Sequence, residues 1–82
     1  MSKSLVAQIQ EVIGGQHVMG ADGLTDYHAA RKVRDCKRVR DRSERVSAMK
    51  RALKNYRVTV SLDWESDAIL VANRESGLTV IL

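Results

Sequence analysis

An α+β domain is the fold class this sequence predicts, on three observations. Apolar residues recur at helical spacing through the first two thirds of the chain and at strand spacing in the last third. No Gly or Pro interrupts residues 25–55, and the chain has no proline at all. Eleven Lys or Arg residues crowd into positions 31–54. The expected order is a short N-terminal helix, a long basic helix and a three-stranded antiparallel β-meander, in one domain over residues 1–82.

The first helix is expected over residues 4–13. Leu5, Val6, Ile9, Val12 and Ile13 follow the i, i+1, i+4, i+7, i+8 pattern of one apolar helical face. Ser2 or Ser4 can cap its start, and Gly14-Gly15 can stop it by taking the left-handed conformation common at helix ends. Residues 14–23 hold four of the five glycines and show no period, which predicts a loop. Gly15 and Gly20 have phosphate-loop spacing, but Ala21 and Asp22 stand where that motif needs Lys and Ser/Thr. An aspartate there would repel phosphate, so that match fails.

Thr25 or Asp26 is a suitable N-cap for a second helix that can run to Asn55. Ala29, Val33, Cys36 and Val39 form its apolar seam, which resumes at Val46, Met49, Leu53 and Tyr56. Between them the seam weakens at Arg40 and Ser43, and Asp41 followed by Glu44 has the form of a capping box. The uninterrupted composition favours one continuous helix over 26–55. A break near 40–43, giving two helices over roughly 26–39 and 42–55, is the competing arrangement.

From Arg57 the period becomes two, with Val58, Val60, Leu62 and Trp64 alternating with Thr59, Ser61 and Asp63. Residues 65–67 and 73–77 can turn the chain into two further strands, 68–72 and 78–82, which completes a meander over 57–82. The last two strands are almost wholly apolar, so both sheet faces call for cover, from a helix or from a second subunit.

At 82 residues and 44% hydrophobic content the core must be thin and aliphatic, since Phe is absent and only Trp64, Tyr27 and Tyr56 are aromatic. A homodimer would relieve that shortage. No apolar run approaches the ~20 residues that cross a bilayer, and no signal-peptide core follows the N-terminus. The lone Cys36 suits a reducing compartment, and a cytoplasmic protein is expected.

Charge distribution carries the functional expectation. The eleven cations of residues 31–54 face only Asp35, Asp41 and Glu44, which leaves this segment at +8 while the rest of the chain sums to −4. On a continuous helix Arg31, Arg34, Arg38, Arg42 and Arg45 share one stripe opposite Ala29, Val33 and Cys36. With Lys37 they form the expected binding surface, and Lys50, Arg51 and Lys54 form a secondary basic group. Lys32 and Arg40 widen the field.

Phosphate backbones suit such a stripe, because Lys and Arg displace condensed counterions and the arginine fork grips phosphate in two places. Few aromatics are available to stack bases, so duplex DNA or structured RNA is expected rather than single strands. The plainer alternative is a solvated helix face with its acids paired at i±3 and i±4. Three acids cannot neutralise eleven cations, which weighs against it. An acidic protein surface would use the same arginines. No glycine-containing helix-turn-helix, zinc-finger set or zipper is present, so base-specific reading has no support.

Other candidates for chemistry are weaker. His17, His28 and Cys36 lack metal-ligand spacing, and no cofactor is implied. Asp63, Glu65 and Asp67 cluster beside Trp64 at a hairpin tip, where little burial is expected to move a carboxyl pKa toward neutrality. Small ribonuclease toxins also join basic helices to a sheet, but no His, Tyr and Arg group converges here. The sequence therefore predicts a small non-enzymatic accessory or regulatory protein, of the kind phages and mobile elements encode, that binds nucleic acid through its arginines. The alternative is a protein-interaction module or inhibitor that meets an acidic surface of a host complex, using the basic helix, the glycine loop or the strand edge at 78–82.

Overall fold

A computed structural model describes residues 3–14 and 24–82, and the glycine segment expected over 14–23 lies outside the described residues beyond Gly14. The order is α1 (Leu5–Ile13), α2 (Leu24–Cys36), α3 (Arg42–Ala52), β1 (Val58–Asp63), β2 (Ala68–Asn73) and β3 (Thr79–Ile81). This is the expected α+β architecture, with the strands in the spatial order β1-β2-β3 and both pairings antiparallel.

α1 begins where Ser4 accepts a hydrogen bond from the Ala7 N–H at 3.1 Å, as an N-cap does. It ends at Gly14, whose backbone is extended (φ −63°, ψ 155°) rather than left-handed. The glycine is required for a different reason: a Cβ at this position would lie 2.7 Å from the Gln10 carbonyl oxygen. Left-handed backbone occurs instead in the two hairpin turns, at Asp67 (φ 62°) and Gly77 (φ 79°). α2 starts at Leu24, so Thr25 and Asp26 belong to its first turn and neither is its N-cap.

The continuous basic helix is corrected to two helices. α2 stops at Cys36 in tightened i→i+3 bonds, from the N–H groups of Lys37, Arg38 and Val39 to the carbonyls of Arg34, Asp35 and Cys36. Asp41 then takes an extended conformation and caps α3 by accepting the Glu44 N–H at 2.9 Å, a cap of a kind worth about 1 kcal/mol. Arg45 folds back to the Val39 and Arg40 carbonyls at 2.8 and 3.2 Å and satisfies the link. The cause is burial. A straight rod would leave its two apolar half-seams in different places, whereas the fold brings Ala30 and Val33 of α2 and Met49 of α3 into one core at 0% exposure.

That core also takes Ile9 and Ile13 from α1, Val58 and Val60 from β1, Ile69 and Val71 from β2 and Val80 from β3. α1 packs chiefly on α2 and reaches β2 and β3, while α3 lies against β1. Among the described residues one polar side chain, that of Asn73, is buried within this frame. Asn73 donates to the Val12 carbonyl at 2.8 Å and accepts from the Glu75 and Ser76 N–H groups at 2.8 and 2.9 Å, joining the end of α1 to the second hairpin.

The helices cover one sheet face only. Residues of the opposite parity, including Thr59, Ser61, Thr79 and Ile81, are exposed, Ile81 at 69%. The second layer of cover that the apolar strands call for is not supplied by the described helices.

Candidate functional site

Breaking the helix redistributes the arginines. Arg31 and Arg34 lie on α2, Lys37 and Arg38 in the link, and Arg42 and Arg45 on α3, so the expected five-arginine stripe does not form on one helix. Its premise was an unbroken 3.6-residue period, which ends at Cys36. Two of its members hold the structure together. Arg42 contacts Asp67 at 2.6 Å and stands 5.4 Å over the Trp64 ring, which fixes the start of α3 on the first hairpin, and Arg45 secures the link as described. Arg31 stacks on Tyr27 one turn earlier, at 5.7 Å, and Arg34 pairs with Asp35 at 3.1 Å.

What the fold brings together instead is a furrow between α2 and α3. At about 100° per residue, His28, Lys32 and Cys36 share the flank of α2 that faces α3, and Ala48, Arg51 and Ala52 share the flank of α3 that faces α2. Two adjoining clefts of about 370 and 490 Å3 run along it, and both are bounded by Lys32, Arg51 and Ala52. Small side chains at Ala29, Ala48 and Ala52 keep the walls low. Arg31 and Arg34 fall on the other flank of α2, beside Tyr27.

Cations outnumber acids along the furrow, where Lys32, Arg51 and Lys54 stand against Asp35. Of the eleven cations in residues 31–54, Arg34 and Arg42 contact carboxylates, while Arg31, Lys32, Lys37, Arg38, Arg40, Arg45, Lys50, Arg51 and Lys54 have no carboxylate partner among the described residues. Burial raises the pKa of the Cys36 thiol, and the nearby Arg51 guanidinium opposes that rise without cancelling it. Cys36 is therefore a protonated, half-buried wall of the furrow at neutral pH.

At one end of the furrow Tyr56 donates its hydroxyl proton to Asp26 at 2.7 Å and so ties the chain after α3 to the start of α2. Burial, and then this bond, raise the phenol pKa well above its ordinary value of 10.0. A raised acid contributes stability fully below the unfolded value and loses it as pH climbs through the folded value. The difference in unfolding free energy between wild type and Tyr56→Phe is thus expected to stay level up to about pH 10 and to shrink above it. Urea titrations across that range measure it, and a difference that stays constant past pH 11 would disprove the Tyr56–Asp26 contribution.

Lys50 occupies the opposite flank of α3, beside β1, with Ser43 and Val46 in the same row, and Lys54 follows in the turn after the helix. Lys54 borders both sides. Sequence periodicity missed the pairing of Lys32 with Arg51, because it depends on the reversal between the helices. The available signal was Lys32 four residues before Cys36, on the edge of the apolar seam. At the hairpin tip, Asp63 is held below the usual carboxylate range by hydrogen bonds from the Ser66 hydroxyl and the Glu65 N–H, a change away from neutrality. Among the described residues no three His, Cys, Asp or Glu side chains gather, and no helix is long and apolar enough to cross a membrane.

Comparison with protein-family models, curated proteins and solved structures gives no match for this chain.

Proposed function

We propose that the chain is a small, non-enzymatic accessory protein that binds duplex DNA or structured RNA through backbone phosphates, with the α2–α3 furrow as its centre. The observation that carries this is the set of nine cations in residues 31–54 without a carboxylate partner among the described residues, of which Lys32 and Arg51 border the same two clefts. Lys37, Arg38 and Arg40 extend the field around the link, and Arg31 lies on the neighbouring flank. A structural role for cations in this number would need carboxylates beside them, and of the eleven only Arg34 and Arg42 contact one among the described residues. Phosphate contacts of this type position a protein on a duplex without reading bases.

Titrating a mixed-sequence DNA duplex and an RNA hairpin across a series of salt concentrations tests it. Affinity is expected to fall linearly in a log–log plot, by about 0.9 per phosphate contact. Replacing Lys32, Arg38 and Arg51 by alanine together should weaken binding and flatten that slope by about one for each cation that meets a phosphate. Unaltered binding by the triple variant would remove the furrow from the interface. A partner that survives nuclease treatment, together with no binding to purified nucleic acid, would assign these cations to an acidic protein surface instead.

A further inference from the structure

Among the described residues β1 has an unpaired backbone edge, walled on one side by lysines. The Arg74 N–H donates to the Arg57 carbonyl, so residues 57, 59, 61 and 63 point their peptide groups toward β2. β2 turns residues 69 and 73 toward β3, through Leu82 N–H to Ile69 and Asn73 N–H to Leu78, which fixes the same alternation. The N–H and C=O groups of Val58, Val60 and Leu62 therefore face away from the sheet, and among the described residues no strand pairs with β1 on that side. Along this edge run two clefts of about 370 and 280 Å3 that meet at Lys50 and Val60. Lys50, Lys54 and Arg74 border the first, and Val46, Leu62 and the exposed Trp64 border the second.

We propose that this edge takes an extended, acidic segment of a partner protein, which adds to the sheet as a fourth strand. The backbone and the charge point to the same occupant. Outward N–H and C=O groups at every second residue, about 6.8 Å apart, match another strand. Phosphate chains offer no such alternation, so a nucleic acid suits this edge less well than it suits the furrow. Among the described residues Lys50 and Lys54 have no carboxylate partner and the Arg74 side chain makes a 3.4 Å contact to the Thr59 hydroxyl, so carboxylates on the incoming strand meet cations that no acid neutralises there. Its side chains on the α3 side are then acidic beside Lys50 and Lys54 and apolar beside Val46, Leu62 and Trp64. A second copy of this chain fits poorly, because two-fold pairing centred on Val60 brings the Lys50 side chains of both copies toward each other. The surface shares only Lys54 and Tyr56 with the clefts of the α2–α3 furrow, and neither Lys32 nor Arg51 borders it, so it is tested separately from nucleic-acid binding.

The test uses the 82-residue protein and a fluorescent octapeptide, Val-Ser-Val-Ser-Glu-Glu-Glu-Glu, which places Val and then Glu along one strand face. Fluorescence anisotropy gives the affinity, and amide hydrogen exchange read by NMR locates the contact. Exchange at Val58, Val60 and Leu62 is expected to slow on binding. Two further peptides, N-methylated at the odd or at the even residues, separate strand addition from charge attraction: one of them should lose binding and the other keep it. Lys50→Glu combined with Arg74→Glu should weaken the parent peptide about tenfold or more, while Lys32→Ala with Arg51→Ala should leave it unchanged. Equal binding of both methylated peptides overturns the proposal even if the charge variant misfolds. So does protection that appears at Thr79 and Ile81, protection produced by the RNA hairpin in place of the peptide, or protection present in a concentration-dependent dimer without peptide.

Discussion

Asn73→Ala is expected to lower the unfolding free energy by about 2–4 kcal/mol, a substantial share of the total for a domain of this size. The side chain is 8% exposed and makes three hydrogen bonds at once. Its amide N–H satisfies the Val12 carbonyl in the last turn of α1, an acceptor that the helix itself cannot pair. Its oxygen collects the Glu75 and Ser76 N–H groups and shapes the turn before Gly77. Alanine leaves a buried acceptor and two turn donors without that partner. Asn73→Asp separates the two ends, because a carboxylate keeps the acceptors and loses the donor. Urea denaturation measures both variants, and a loss below about 0.5 kcal/mol for Asn73→Ala would show that the bridge contributes little.

Met49→Ala should have an effect of similar size, about 2–5 kcal/mol, from lost burial and the cavity left behind. α3 carries strongly polar residues around most of its circumference, and Met49 is its fully buried side chain, with Leu53 following directly after the helix. Removing the thioether therefore loosens the seat of the whole helix, and with it the wall that sets Arg51 opposite Lys32. Met49→Leu preserves volume and should cost less than about 1.5 kcal/mol. Denaturation midpoints separate the two, and equal losses for Ala and Leu would mean that packing at this position is not what holds α3.

The same residue shows why the helix break was hard to read. Val33 and Met49 each obey a helical period, and nothing in the spacing says that both enter one core. Composition argued for continuity because no Gly or Pro intervenes, but Asp41 and Glu44 carried the local signal for a restart, and tertiary burial decided in its favour. The arginine stripe failed with the rod on which it was drawn. Strands were legible because their alternation is local: Val58 and Val60 are buried, and Thr59 and Ser61 exposed, as a period of two requires. Asn73 was legible only as a turn residue, since its buried partner lies in α1. At Gly14 the sequence showed that a glycine was needed and not that a carbonyl, rather than a positive φ, was the reason.

The bridge from Val12 to Asn73 spans 61 positions in a chain of 82. Closing so long a loop is entropically unfavourable and is repaid only when the contacts at both ends form together. During synthesis, then, α1 emerges before the strands and stays without its polar anchor until the second hairpin has left the ribosome. Cooperative folding is deferred until that hairpin has emerged, and a nascent chain halted before it presents its aliphatic residues to chaperones and proteases.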